Sequence, residues 1–267
     1  MSIQKSQIAL SLISHTNIGK TTLARTLLRK DIGLVADRAH VTLENQQYTV
    51  LETDAGESLQ LWDTPGFPNC QKILSRLQGA KNPIVRILTE VWDRFRDRPS
   101  WCAQQAVLNV QQEADVVLYL VNATEEPSMA GYLASELQLL EWIGKPVVVL
   151  LNQTGPPRDR DAWQHLEQPW KDYFARYGFV RGVHSLDAFS RCWVQEGILF
   201  ETIESLLPSQ DRPLMNRLFS ACQNANLSVF HMAMEQWARL VVRAARSRVM
   251  TRGDGSPIDE QQQQAVD

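Results

Sequence analysis

Cysteine is scarce in this sequence, with four residues among 267, and none of the four forms a Cys-x-x-Cys pair. This spacing excludes a disulfide framework and the usual zinc patterns. Long apolar runs are also missing, because no run reaches the ~18 residues that a membrane helix needs. The apolar stretch at residues 8–13 lacks a small-residue cleavage pattern behind it, which argues against a secretory signal. We therefore expect a cytoplasmic protein with reduced thiols.

Charge of one sign is not in excess either, since 27 Lys and Arg face 30 Asp and Glu and give a net charge of -3. A near-neutral balance gives no strong sign of nucleic-acid binding, although a local basic stripe could survive the average. Hydrophobic residues make up 44% and charged residues 21%, which excludes intrinsic disorder and fibrous classes. At ~150 residues per domain, the length predicts one enlarged domain or one domain with an appendage.

Short apolar runs alternate with helical patterns, and six of these runs predict β-strands. The run at 147–151 is continuous, as expected for a central strand buried on both faces. Residues 54–57 are turn-like and join two runs into an antiparallel hairpin at the sheet edge. The pattern predicts a mostly parallel α/β sheet in three layers. The predicted strands are 7–13, 48–53, 58–62, 116–121, 147–151 and 180–184.

Two segments depart from this alternation. Residues 68–112 are too long for an ordinary crossover between strands and predict a helical insertion. After Pro208 the strand signals stop, and a long helical pattern ends in a polar tail. We therefore expect a domain over residues 1–207 that contains the insertion, and a helical C-terminal segment over 208–267.

A phosphate-binding pattern follows the first predicted strand. Residues 14–22 have the P-loop spacing between a strand and a helix, with Ser14 where the usual pattern has glycine. Backbone amides of such a loop cradle phosphates, Lys20 neutralises their charge, and the Thr21 hydroxyl takes a Mg²⁺ position. The predicted nucleotide-binding residues of this loop are Thr16, Asn17, Ile18, Gly19, Lys20, Thr21 and Thr22.

A second pattern, Asp63-Thr-Pro-Gly66, follows the third predicted strand. A carboxylate at the end of a strand can hold Mg²⁺, and the Gly66 amide can meet the γ-phosphate. A tight turn is the alternative for such a sequence taken in isolation, because Asp, Pro and Gly are common turn residues. Coming after a P-loop, the pair of motifs favours a nucleotide site.

These motifs resemble the Era-like branch of P-loop GTPases over roughly residues 7–207. The resemblance is to a bacterial group with an Asn-Gln-Thr-Gly base motif, on the stretches SHTNIGKTTLARTLLR, LWDTPGF and VVLLNQTGPP. It implies a GTP-binding switch with Mg²⁺ held by Thr21, Thr42 and Asp63. It also implies that Asn17 helps to hold a K⁺ ion. An ordinary strand residue is the alternative for Thr42.

The base-reading motif departs from the family pattern of Asn-Lys-x-Asp. Asn152 is kept, but Gln153 replaces the lysine and the aspartate is absent, so discrimination of guanine from adenine should fall. Asp159, Asp161 or Asp187 could replace the carboxylate, and a helix cap or a surface charge is the alternative for each. Ser185 begins the segment 185–188, which matches the loop that supports the base, or else forms a plain strand-to-helix turn.

Phe67 stands where Ras-like enzymes have the glutamine that orients water. We therefore expect slow GTP hydrolysis, stimulated by K⁺ or by a protein effector, with Lys20, Asn17, Thr42 and Gly66 as the catalytic set. Two alternatives remain open. One is a non-hydrolysing, nucleotide-gated binding module, and the other is a P-loop phosphotransferase. The preference for GTP over ATP also stays open.

The last helical pattern carries an apolar seam at steps of three and four, from Leu227 to Ala244. Arginines at 239, 243 and 246 lie off this seam, and a fourth follows at 248. A basic amphipathic helix is typical of a peripheral membrane surface or of self-association. Docking of the helix on the domain, with its arginines in water, is the alternative.

Overall fold

The computed structural model describes residues 5–28, 46–64, 70–79, 98–155, 159–189 and 192–246. Its strands are β1 (Gln7–Ser14), β2 (Gln46–Glu52), β3 (Ser58–Asp63), β4 (Val116–Asn122), β5 (Val147–Asn152) and β6 (Val180–Ser185). Its helices are α1 (Lys20–Leu28), α2 (Cys70–Gly79), α3 (Arg98–Glu113), α4 (Leu133–Ile143), α5 (Arg160–Phe174), α6 (Trp193–Leu206) and α7 (Arg212–Arg246).

The six strands form one sheet in the order β2-β3-β1-β4-β5-β6. Every neighbouring pair is parallel except β2 and β3, which form the antiparallel hairpin at the edge. All six predicted strands are confirmed, and their ends shift by no more than two residues. The mostly parallel α/β class is confirmed with them.

The sheet is covered on both faces, because alternate side chains of its central strands enter two separate cores. In β4, Leu118 faces one core, whereas Tyr119 faces the other. Helices α1 and α6 contribute to the first core, and helices α2, α3, α4 and α5 contribute to the second. This is the expected three-layer arrangement, and it explains why β5 is buried throughout and apolar from Val147 to Leu151.

The described parts of the predicted insertion, residues 70–79 and 98–112, are helical, as expected. Helix α2 adds Ile73 to the second core, and α3 adds Val107 and Val110. The predicted insertion also contains three arginines at positions 94, 96 and 98, and the segment 80–97 lies outside the described residues.

Helix α7 begins as part of the sheet domain. Leu214, Met215 and Leu218 are buried in the first core, and Arg217 pairs with Glu57 at 2.6 Å. The chain divides into two compact units, Met1–Cys222 and Gln223–Asp267. The division after residue 207 stays a prediction.

In the second unit, the described residues 223–246 continue the helix with their apolar seam exposed to solvent. The side chain of Arg246 and all of Arg248 lie outside the described part. Within the described helices, none is both long enough and apolar enough to cross a membrane.

Candidate nucleotide-binding site

The loop between β1 and α1 has the backbone geometry of a phosphate cradle. Asn17 and Gly19 have positive φ angles of 65° and 92°, and the helix begins at Lys20. A Cβ at Gly19 would lie 2.7 Å from Nδ2 of Asn152, so this position needs glycine for both its conformation and its close contact. Such a loop gathers backbone N–H groups around an anion at a helix N-terminus.

Three of the predicted phosphate- and metal-site residues meet at the end of β3. The Lys20 ammonium forms an ion pair with Oδ1 of Asp63, and Thr21 Oγ1 donates a hydrogen bond to Oδ2 at 2.9 Å. The side chains of Lys20 and Asp63 are 8% and 1% exposed. Hydroxyl and carboxylate oxygens are hard ligands of the kind that Mg²⁺ takes, together with water and phosphate oxygens. The residues therefore fit a Mg²⁺ site that a bound nucleotide would complete.

Thr64 fixes the segment that follows Asp63. Its buried hydroxyl donates to the carbonyl oxygen of Leu12 on β1 at 2.6 Å. This bond holds the start of the second motif against the strand that precedes the P-loop. Thr42, Gly66 and Phe67 lie outside the described residues, so their roles stay predictions.

Asn152 connects the predicted base loop to the P-loop. It is fully buried, its Nδ2 donates to the carbonyl oxygen of Ile18 at 2.7 Å, and its Oδ1 accepts from the amide of Ala188 at 2.8 Å. One side chain thus ties together the loops that follow β1, β5 and β6. Gln153, the next residue, is partly exposed in a left-handed conformation with φ of 60°.

Asp187 joins the same two base loops through its carboxylate. Its Oδ2 accepts from the amide and hydroxyl of Thr154 at 2.8 and 3.0 Å, and its Oδ1 accepts from the amide of Phe189 at 2.8 Å. By contrast, Ser185 donates its hydroxyl to Glu167 of α5 at 2.6 Å. Asp159 caps α5 by accepting from the amide of Ala162 at 2.8 Å.

His15, at the start of the P-loop, is held by Glu136 of α4 and by Tyr132, the residue that precedes this helix. Its Nδ1 lies 2.8 Å from Oε1 of Glu136, and its ring stacks on Tyr132 with centroids 4.4 Å apart. Glu136 is 2% exposed and also accepts from the Tyr119 hydroxyl at 2.6 Å. The hydrogen bond to Glu136 raises the pKa of His15.

Two of these partners, Glu136 and Thr154, were missed in the sequence. Glu136 is three residues after Leu133 and four before Leu140, so the helical period already places it on the buried face of α4. Thr154 has no comparable local signal, because its partner Asp187 is 33 residues away along the chain.

A family model described as a 50S ribosome-binding GTPase matches residues 9–153. The chain is 28% identical over 173 residues to GTPase Der of Stutzerimonas stutzeri (strain A1501), covering 64% of this chain and 27% of that protein. It is 27% identical over 144 residues to GTPase Era of Heliobacterium modesticaldum (strain ATCC 51547 / Ice1), covering 54% and 38%. The matches span well under half the length of these relatives.

Solved structures show the same fold. A single-residue variant of Aquifex aeolicus Era bound to GDP.AlF4- has a TM-score of 0.53 and 18% identity, covering 76% of this chain and 57% of that one. Era in complex with MgGDPNP and nucleotides 1506–1542 of 16S ribosomal RNA has a TM-score of 0.52 and 19% identity, covering 77% and 58%. Because the family model covers more than half of the sequence, the chain belongs to the 50S ribosome-binding GTPase family.

Proposed function

We propose that this GTPase-family chain is a Mg²⁺-dependent nucleotide switch that hydrolyses GTP slowly and is stimulated by K⁺ or by a protein effector. The buried group of Lys20, Thr21 and Asp63 beneath the P-loop is the observation that carries this proposal. It brings a cation, a hydroxyl and a carboxylate to one end of the sheet, where phosphates need charge neutralisation.

Binding of nucleotide changes the partner of Lys20. In the structure the ammonium is paired with Asp63, so it must turn toward the β- and γ-phosphates when these arrive. With Lys20 turned away, the oxygens of Asp63 and Thr21 would hold Mg²⁺, which would supply further neutralisation of the phosphate charge. The loop amides, fixed through Asn152, orient the phosphates for in-line attack by water.

Hydrolysis in this proposal is slow because Phe67 supplies no group that can orient water. Asn17 is exposed at the P-loop and belongs to the proposed K⁺ site. Thr42 and Gly66 complete the catalytic set as the switch residues that close on the γ-phosphate, and Gln153 and Ser185 complete the base site.

Beyond guanine nucleotide, the proposed partners are a protein effector and a second surface that residues 223–246 bind. That surface is either a membrane or a second copy of the chain. The proposed location is the cytoplasm. The near-neutral net charge gave no strong sign of nucleic-acid binding. The comparisons do not support leaving nucleic acid out, because one Era structure holds 16S ribosomal RNA. An RNA partner therefore stays within the proposal.

The binding test compares wild-type chain with Lys20→Ala, Thr21→Ala and Lys171→Ala by titration with Mg²⁺ and a GTP analogue. We expect Lys20→Ala to abolish binding and Thr21→Ala to weaken it in Mg²⁺. Lys171→Ala removes an exposed i,i+4 pair with Glu167 and should bind as wild type. Thermal melts accompany the series, because Lys20→Ala leaves the Asp63 charge buried without its cation.

Single-turnover hydrolysis of GTP in KCl and in NaCl tests the enzymatic part. Turnover well below ~1 per second, faster in KCl, is the expected result. Bound GTP that stays intact in both salts would identify a non-hydrolysing module, and a labelled acceptor other than water would identify a phosphotransferase. Failure of the wild-type chain to bind guanine nucleotide would overturn the proposal.

A further inference from the structure

Glu136 of α4 places a buried carboxylate beside the phosphate-binding loop. The side chain is 2% exposed, and its Oε1 lies 2.8 Å from Nδ1 of His15, the first residue after β1. Its Oε2 accepts from the Tyr119 hydroxyl at 2.6 Å. Among the residues that the structure describes, no Lys or Arg forms an ion pair with this carboxylate. His15 therefore supplies the basic group that contacts it.

The charge of Glu136 acts on side chains of two neighbouring elements. Burial and this charge raise the pKa of the Cys70 thiol, at the start of α2, to about 12. Burial and the same charge raise the pKa of Tyr119 on β4. In surroundings of low polarity a charge acts over longer distances than it does in water. Because His15 belongs to the P-loop, phosphates held by this loop would also lie in the field of the carboxylate.

The His15 ring is held in one orientation by two contacts. An ionised carboxylate only accepts hydrogen bonds, so Nδ1 of His15 carries a hydrogen and donates it to Glu136. The ring also stacks on Tyr132 with centroids 4.4 Å apart, and the Tyr132 hydroxyl donates to Glu125 at 3.0 Å. The imidazole therefore presents an N–H dipole, or a full positive charge when it is protonated, to the buried carboxylate.

We propose that His15 offsets the buried charge of Glu136 and that this pairing allows the P-loop to bind phosphate tightly. The inference rests on the proposed nucleotide-binding function. His15 is then a positioning residue that acts through Glu136 and needs no contact with the nucleotide. Without its N–H, the carboxylate would remain uncompensated beside the loop and would repel the phosphates. The repulsion would be stronger for a triphosphate than for a diphosphate, because the triphosphate carries more negative charge.

The test measures affinities for GDP and for a non-hydrolysable GTP analogue in Mg²⁺ by calorimetry at pH 8. His15→Phe keeps a ring to stack on Tyr132 but removes the donor. We expect its affinity for GDP to fall by about 10-fold and its affinity for the GTP analogue to fall further. His15→Asn keeps a donor near the place of Nδ1 and loses the ring, so it should bind more tightly than His15→Phe. Adding Glu136→Gln to His15→Phe removes the charge and should restore affinity for both nucleotides to within about 3-fold of wild type.

Glu141→Gln makes the same charge change at an exposed position of α4 and, combined with His15→Phe, should not restore binding. Thermal melts identify the folded variants, and the ratio of GTP-analogue to GDP affinity is compared because partial unfolding lowers both affinities equally. A double variant, His15→Phe with Glu136→Gln, that binds as weakly as His15→Phe would overturn the inference, and so would an unchanged ratio in His15→Phe. A wild-type chain that binds neither nucleotide would overturn the proposed function, whereas wild-type binding that His15→Phe leaves intact would overturn this inference alone.

Discussion

Glu136 is a buried carboxylate that contacts the first residue after β1, His15, and the Tyr119 hydroxyl. One of its oxygens lies against the His15 imidazole and the other accepts from the Tyr119 hydroxyl, so the residue connects α4 to the first loop of the site and to β4. Because Glu136 is almost completely buried, removal of its carboxylate leaves two polar groups without this partner. Loss of such a buried partner costs more than a typical hydrogen bond contributes.

Replacement of Glu136 should therefore destabilise the protein more than replacement of a glutamate on the outside of the same helix. We expect Glu136→Ala to lower the free energy of unfolding by about 1–3 kcal/mol, part of it from the Tyr119 and His15 groups that lose their acceptor. Glu141→Ala, at an exposed position of α4, is the matched control and should change it by less than about 0.5 kcal/mol. Denaturant unfolding measures both, and equal effects would contradict the role given to Glu136.

Residues within one motif were predictable because their spacing carries the chemistry. Lys20 and Asp63 belong to two motifs, and the alternation of strands places both motifs at the same sheet edge, where the structure joins their side chains. Asn152 was also predictable from its motif. The bonds of Asp187 to Thr154 were not, because they depend on how two distant loops fold against each other, and neither loop alone encodes that contact.

At the scale of elements, α7 combines two environments in one continuous helix. Leu214, Met215 and Leu218 are buried, whereas Phe230 and Trp237 are 49% and 66% exposed. The sequence predicted the helix and its apolar spacing over both parts. It could not predict where burial ends, because the apolar period is similar on either side of Cys222 and burial depends on the neighbouring sheet.

The positions of the apolar and charged residues in the exposed part of α7 are the basis of the proposed membrane contact. Arg239 and Arg243 each follow an exposed seam residue by two positions, Trp237 and Val241, which places them on the opposite side of the helix. The seam is apolar and lies opposite these arginines, whereas the exposed Met232 shares the arginine side. An apolar face opposite arginines is typical of helices that lie in a membrane interface.

Vesicle co-sedimentation should therefore retain the wild-type chain on anionic vesicles at low salt and release it at high salt. Trp237→Ser should reduce binding by about 10-fold, because a large apolar side chain leaves the lipid. Met129→Ser, which replaces an exposed apolar residue of the sheet domain, is the control and should bind as wild type. Equal binding to neutral and anionic vesicles, or no binding to anionic vesicles at low salt, would contradict the membrane proposal. Sedimentation equilibrium would then test self-association.

At the scale of the whole molecule, the sheet brings residues from distant parts of the chain close together. Ser14, Asp63, Asn152 and Ser185 end β1, β3, β5 and β6, and the parallel order brings these ends to one edge. The alternation of strands and helices predicted this arrangement, because strands joined by helical crossovers run parallel and therefore end on the same side. The C-terminal limit of the domain could not be predicted from the sequence, because it depends on which turns of α7 pack into the first core.

Two truncations measure that extent. A chain that ends at Cys222 keeps Leu214, Met215 and Leu218 in the core, so it should bind nucleotide and melt within a few degrees of the full chain. A chain that ends at Leu207 loses these side chains and the Arg217 contact to Glu57. Each buried side chain contributes about 1.5–3 kcal/mol, so their sum approaches the ~5–15 kcal/mol that holds a domain folded. We therefore expect the shorter chain to be largely unfolded by circular dichroism. Equal melting of both truncations would instead place the domain boundary at 207, where the strand pattern ends.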